Sequence, residues 1–554
     1  MATDIEIARE KTLLPIEKIA EQLDLAEGDL ELYGRYKAKV RADALAEREL
    51  TGKLILVSAV TPTPAGEGKT TVTVGLGQAL GKLGLKGAIS IREPSLGPCM
   101  GMKGGATGGG HAQVLPMEDI NLHFTGDLHA ITAANNLLAA LVDNQIYFRH
   151  DPPIDPRRVT WRRVLDMNDR PLRNGVIGLG GPTSGVPRET GFDITAASEV
   201  MAVLCLAEDL TDLEARLGRI IVGYGYDNSP VTAADLGATG AMVALLKDAV
   251  KPNLVQTLDE TPAFVHGGPF ANIAHGTSSV IAAKTALRLA DYVITEAGFG
   301  FDLGAAKFFD IMCRQSGLQP SCVILVATVR ALKMHGGVAL SELDRPDPEA
   351  VRRGLPNLEK HLETNEFFGV GELVTVNRFS GDTEEEIAVV LECCAELGYQ
   401  AAVADVWGRG GEGGMEAARK MVAIADAFEG EFQHLYALEE SVEEKIRKVS
   451  ERVYGAHAVD FTPRAKKDIA RIESLGLAEL PICIAKTQQS LSDNPKLLGR
   501  PKDFVVTVRE ILVSAGAGFL VPITGDIMRM PGLPRRPAAL DIGLDAAGEV
   551  RGLA

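Results

Sequence analysis

The chain has 554 residues, more than the ~250–300 at which a single hydrophobic core stops growing, so several domains are expected. Its 46% apolar and 24% charged residues are ordinary for a globular protein, and a formal charge of −17 argues against a general nucleic-acid binder, which needs clustered lysine and arginine. No uncharged apolar stretch reaches the ~18 residues of a membrane span, and the acidic start MATDIEIARE lacks the basic-then-apolar pattern of an export signal, so no membrane partner is expected.

Seven cysteines, at 99, 205, 313, 322, 393, 394 and 483, show no framework spacing and no CxxC pair. They read as reduced, buried thiols in a cytoplasmic protein. The cluster Arg157, Arg158, Arg162, Arg163 reads as a solvated or subunit-facing helix start before it reads as a small-anion site.

In chain order, residues 1 to about 50 have helical composition and spacing. The apolar run 54–60 reads as a buried strand of a parallel sheet, 70–83 as a helix stopped by Gly84, and 86–91 as a second strand. Strand candidates follow at 176–179, 220–222, 254–257, 292–295, 323–327, 373–376 and 401–406, with helical segments between most of them. Runs at 504–508 and 519–522 close the chain. This alternation predicts an α/β protein: a multi-domain, P-loop-type nucleotide-binding fold of mostly parallel sheets. The expected division is a nucleotide-binding domain over 1–310 and two smaller α/β domains over 311–430 and 431–554.

The sharpest local signal is Thr63-Pro64-Ala65-Gly66-Glu67-Gly68-Lys69-Thr70-Thr71. It lies between a predicted strand and a predicted helix, the context a phosphate loop requires. Glycine lets backbone N–H groups close around phosphate oxygens, and the helix N-terminus adds unpaired donors. Lys69 is placed to reach the β- and γ-phosphates of ATP, and the Thr70 hydroxyl to ligate Mg²⁺. The usual pattern opens with glycine, and here that position is Thr63, which predicts a different first turn. The loop alone leaves the reaction open, since a switch ATPase or any carboxylate-activating ligase would share it.

Arg92 and Glu93 follow the second strand, one strand over from Lys69 in the expected sheet, and lead into a glycine-rich segment over 101–111. Ordering so many glycines is costly, and makes sense where backbone must approach a ligand closely. A guanidinium at a strand's carboxyl end suits an acyl phosphate or a carboxylate. The histidines lack the spacing of a zinc helix motif.

With these residues in view, the chain resembles the formate–tetrahydrofolate ligase family. The strings that carry the resemblance include TPTPAGEGKTT (61–71), REPSLGP (92–98), MEDINLHFTGDLHA (117–130), KPNLVQTLDETPAFVHGGPFANIAHG (251–276), TEAGFGFDLGAAKF (295–308), GGEGG (410–414) and MPGLPRRPAA (530–539). The resemblance implies that Mg-ATP converts formate to formyl phosphate, and that the formyl group passes to an amine of tetrahydrofolate. It implies a homotetramer stimulated by a monovalent cation, K⁺ or NH₄⁺.

By motif, it assigns Lys69 to the transferred phosphoryl and Arg92 to formyl phosphate. It places Asp127 and His266 near the site and makes Phe379 and Trp407 the two walls of the folate pocket. Where the family has proline after this phenylalanine, the chain has Ser380. Asp127, His129, Glu93 and the departing phosphate all remain open as acceptors of the amine proton, and the stretch around Tyr33, Tyr36 and Glu93 is a candidate place for the monovalent cation.

Overall fold

The structure is a computed structural model that describes residues 3–102 and 107–553; residues 103–106, within the glycine-rich segment, lie outside the described residues. The apolar runs assemble into one twelve-stranded sheet. Its strands are β1 (Leu30–Leu32), β2 (Ala38–Val40), β3 (Lys53–Ala59), β4 (Gly87–Ile91), β5 (Gly108–Gly109), β6 (Ala112–Leu115), β7 (Asn253–Thr257), β8 (Pro262–Val265), β9 (Tyr292–Glu296), β10 (Pro320–Ala327), β11 (Glu372–Asn377) and β12 (Gln400–Ala404). They lie in the order β1-β2-β7-β8-β4-β9-β3-β10-β11-β12, with β6 beside β7 and β5 beside β6. From β8 to β12 all neighbours run parallel, while β1, β2, β6 and β7 join antiparallel at one edge.

The parallel strands are apolar on both faces because both faces are covered. In β3, Leu54 and Leu56 enter one core, whereas Ile55, Val57 and Ala59 enter the other, as the two-residue period of a strand requires. The helices that position the carboxyl rim are α1 (Lys69–Lys82), α2 (Asp127–Phe148), α3 (Val329–His335), α4 (Pro348–Glu366) and α5 (Val406–Gly413). Helix α1 is wedged between the sheet and α5, and glycine makes that possible. A Cβ on Gly75 would lie 2.4 Å from Val406, and one on Gly77 2.4 Å from Ile89.

The structure departs from the sequence expectations in several places. Among the described residues of the first 50, α-helix occurs only at Asp4–Glu10 and Ile16–Glu21, with short 3-10 turns at Glu27–Asp29 and Ala42–Leu45. Between them the chain turns at Gly34 (φ +81°) and supplies β1 and β2, whose ladder to β7 outweighs helix-favouring composition. Residues 176–179 and 220–222 contribute to separate two-stranded pairs, not to the main sheet. Val406 opens a helix instead of ending a strand. Strand β9 lies between β4 and β3, so Arg92 stands two strands from Lys69. Strands β10 to β12 continue the sheet directly from β3. Near the C-terminus, Val505–Val508 pairs in parallel with Ala458–Phe461, and Phe519–Ile523 pairs antiparallel with Glu510–Ser514, apart from the main sheet.

Candidate active site

Chain leaving the carboxyl ends of β4, β9, β3, β11 and β12 emerges on one rim, where parallel sheets gather their ligands. After β3 it passes through 60–68 and turns at Gly66 (φ +76°) and Gly68 (φ +64°), angles that cost little only for glycine. Thr63 is accommodated by its own loop. Its N–H donates to Glu67 Oε1 at 2.6 Å and its hydroxyl to the same oxygen at 3.1 Å, while Asn377 Nδ2 donates to the Glu67 carbonyl at 2.9 Å. Burial pushes the Glu67 carboxyl above its ordinary range. Pro64 and Gly66 are exposed at the loop tip, and Ala65 and Thr71 are half-buried.

Lys69 is the first residue of α1, and its Nζ donates to the Phe299 carbonyl at 2.6 Å. Thr70 Oγ1 donates to Glu296 Oε2 at 2.8 Å. The other oxygen of Glu296 stands 3.4 Å from Arg92 Nη2, and Arg92 Nε has no hydrogen-bond partner. Groups from α1, β9 and β4 therefore meet at one carboxylate that is only 2% exposed.

Directly behind this rim the polar groups are saturated. Asp127, at the start of α2, accepts from Lys39 Nζ at 2.8 and 3.0 Å and from Asn253 Nδ2 at 2.8 Å. Lys39 is fully buried and also donates to Asn253 Oδ1 at 2.9 Å. His266 Nε2 donates to the Ala249 carbonyl at 2.7 Å, which leaves Nδ1 to accept from the Ser279 hydroxyl at 2.6 Å. Burial pulls this imidazole down to about 4, so it is neutral. Glu93 links rim and backing. Its N–H donates to the Gly267 carbonyl at 2.6 Å, its Oε2 has no partner, and burial followed by the nearby Asp127 carboxylate pushes its carboxyl well above the ordinary range.

The two aromatics stand past the ends of adjacent strands, β11 and β12. Phe379 leans toward the loop, since a Cβ on Gly68 would lie 3.8 Å from its Cζ, and Arg330 stacks 5.5 Å from its ring centroid. Trp407 is 39% exposed and covers the backbone of Gly109 and Gly110: a Cβ on Gly110 would lie 2.8 Å from the indole. The Trp407 carbonyl accepts from His111 N at 2.9 Å, and α5 breaks at Gly410 (φ 54°, ψ −141°) just beyond. Ser380 is exposed next to Phe379. Three arginines of the Arg157–Arg163 cluster are engaged by carboxylates, Arg157 with Asp155 at 2.9 Å, Arg162 with Asp193 at 3.1 Å and Arg163 with Asp143 at 2.9 Å, while Arg158 lies over the Tyr224 ring.

A family profile described as formate–tetrahydrofolate ligase matches residues 2–554. The chain belongs to the formate–tetrahydrofolate ligase family. It is accordingly an ATP-dependent ligase that joins formate to tetrahydrofolate, with those three small molecules as its substrates. Among the described residues of this ligase, no helix is long and apolar enough to cross a membrane.

The rim of this formate–tetrahydrofolate ligase also holds residues that sequence reasoning did not single out. Glu296 is the central one, and its signal was a carboxylate closing an otherwise apolar strand. Asn377 ends β11 in the same way. The Phe299 carbonyl, which takes the Lys69 ammonium from a residue at φ +61°, had no signal in the sequence.

Proposed function

We propose that 63–71 is a phosphate loop for ATP and that the groups joined by Glu296 carry both steps of the ligation. The loop amides and the N-terminus of α1 receive the β- and γ-phosphates, and Lys69 swings from the Phe299 carbonyl to the transferred phosphoryl. A formate oxygen attacks the γ-phosphorus, ADP leaves, and formyl phosphate results. Two anions must approach for this, and Lys69 and Arg92 offset their repulsion.

Magnesium fits here. Thr70 Oγ1 and Glu296 are two hard oxygen donors 2.8 Å apart, and among the described residues no cluster of three His, Cys, Asp or Glu competes for the ion. That suits a metal that takes one or two protein oxygens and completes its shell with phosphate and water. When bound, it would be held by Thr70 and Glu296 and would neutralise phosphate charge.

In the second step the tetrahydrofolate amine attacks the formyl carbon, phosphate leaves, and 10-formyltetrahydrofolate forms. Arg92 donates to the developing oxyanion and to the phosphate oxygens together. Phe379 and Trp407 hold the pterin at the neighbouring strand ends. Glu93 remains a candidate for the amine proton, together with the departing phosphate. Asp127 and His266 act on the chemistry through position, because their bonds are already satisfied. We place the monovalent cation, K⁺ or NH₄⁺, near Glu93 and the Tyr33–Tyr36 stretch, where Glu93 Oε2 lacks a partner. The homotetramer and the cytoplasmic setting belong to the same reading and draw support from family membership; a boundary at 430 falls beyond the main sheet, whereas one at 310 would cut it between β9 and β10.

The observation that carries this reading is that Thr70, on α1, and Arg92, just past β4, share Glu296. The test is phosphate release from ATP by the purified protein with formate or tetrahydrofolate omitted in turn, and with formyl phosphate trapped by hydroxylamine. Arg92→Ala is expected to lower both trapped intermediate and final product by about a hundredfold. A variant that changes only the ATP constant would remove Arg92 from formyl phosphate.

A further inference from the structure

Thr61 lies where β3 gives way to the loop. It is completely buried, and all its polar groups are bonded. Its N–H donates to Asn357 Oδ1 at 3.1 Å, and its carbonyl accepts from His335 Nε2 at 2.7 Å. Its hydroxyl oxygen accepts from Asn357 Nδ2 at 2.9 Å and stands 3.1 Å from His361 Nε2. Asn357 donates into the hydroxyl, and the hydroxyl and His361 Nε2 share one further hydrogen bond, while His361 Nδ1 has no partner. His335 donates from Nε2, so its Nδ1 accepts from Gly499 N–H at 3.1 Å. The second amide proton of Asn357 goes to the Gly499 carbonyl at 2.9 Å. Burial holds both imidazoles below their ordinary range, His361 at about 4, so the network is neutral throughout.

One residue thus ties the end of β3 to α3, to α4 and to the turn at Gly499. From the opposite side Gly300 closes on the same segment: a Cβ there would lie 3.2 Å from both Pro62 Cδ and the Val60 carbonyl. The neighbouring Phe299 carbonyl is the one that takes Lys69. A loop that begins with Thr63 lacks the glycine on which such loops usually pivot; Glu67 holds Thr63 from within the loop, and Asn357, His361 and His335 hold Thr61 from outside it.

We infer that Asn357 and His361 are positioning residues for the nucleotide: by fixing Thr61 they set the direction in which 63–68 leaves β3, and hence where the loop amides and Lys69 meet the phosphates. This rests on the phosphate-loop reading. Misplacement of a binding loop by about 1 Å is enough to cost orders of magnitude in rate.

The test uses the full-length enzyme with Thr61→Val, Thr61→Ser, Asn357→Ala and His361→Ala. It reads the ATP, formate and tetrahydrofolate constants, kcat and the thermal midpoint. Thr61→Val keeps the shape and removes only the hydroxyl, so it serves even if Asn357→Ala fails to fold. Thr61→Val and Asn357→Ala should raise the ATP constant roughly tenfold while the tetrahydrofolate constant stays within about twofold, and His361→Ala should do so to a lesser degree. Thr61→Ser should restore the ATP constant. Folded variants with an unchanged ATP constant, or activity lost only in proportion to folded protein, would overturn the inference. Lys69→Ala separates the two levels. If it leaves turnover intact, the phosphate-loop reading fails; if it stops turnover while Thr61→Val and Asn357→Ala do nothing, only the positioning role fails.

Discussion

The rim around Arg92 and the layer around Asp127 treat charge in opposite ways. At the rim, Glu296, Thr70 and Arg92 leave capacity unused: the contact between Glu296 and Arg92 is 3.4 Å, and Arg92 Nε has no partner. In the layer behind, Lys39, Asp127, Asn253, His266 and Ser279 bond one another at 2.6–3.0 Å and are sealed from water. Arg92 keeps donor capacity open for a ligand, although Lys69 and Thr70 are held at 2.6 and 2.8 Å, whereas the groups behind the rim spend theirs on each other. The strings that carry the family resemblance contain both kinds, so membership in a shared string does not separate chemistry from framework.

The largest effect that tests this contrast is at Lys69. Lys69→Ala should lower ATP-coupled turnover by at least about a thousandfold while the thermal midpoint stays near that of the parent, because the side chain stands at the partly exposed start of α1. Steady-state rates and calorimetry on one preparation decide it, and a large loss of stability would erase the distinction. Asp127→Ala should do the reverse. It leaves the buried Lys39 ammonium with neutral acceptors only, a loss of about 3 kcal/mol or more measured as a shift in chemical unfolding. If Asp127→Asn kept its stability and still lost activity, Asp127 would move from framework to chemistry. Trp407→Ala should raise the tetrahydrofolate constant about tenfold with little change for ATP. An unchanged folate constant would make the indole a packing group over Gly110.

The smallest effect concerns Glu199, half-buried and bonded by the N–H groups of Gly516 and Ala517 at 2.8 and 3.3 Å. Burial raises its carboxyl to about 7, against ~4.3 for an unfolded chain. Between those values the unfolded chain has released the proton and the folded one still holds it. Stability from this group is therefore greatest below about pH 4 and declines toward pH 7. Glu199→Gln should flatten that decline in a pH series of unfolding midpoints, and an unaltered slope would assign it to other groups.

Much of the rim was legible because its signals are local. The β3–loop–α1 unit shows as an apolar run, a glycine-rich turn and a helix in immediate succession, and Arg92 and Glu93 show as charges closing a second apolar run. What stayed hidden depends on pairing across long stretches of chain. Glu296 matters only because β9 inserts between strands that lie more than 200 residues earlier. The ion pair of Lys39 with Asp127 spans 88 positions, and Lys39 sits in a segment whose composition favours helix but whose edge pairing with β7 makes it strand. Nothing near Thr61 announces Asn357 or His361, which arrive from a helix nearly 300 residues away.

The insertion of β9 between β4 and β3 has a consequence for synthesis. A nascent polypeptide ending before residue 292 already contains the glycine loop and Arg92, but it lacks the strand that separates and spaces them. Nucleotide therefore cannot act as a template while the first half emerges from the ribosome, and the early strands must wait exposed or be shielded until the chain passes its midpoint. Release of fragments stalled on either side of residue 296, probed with an ATP analogue, would mark the length at which the polypeptide first becomes competent to hold its substrate.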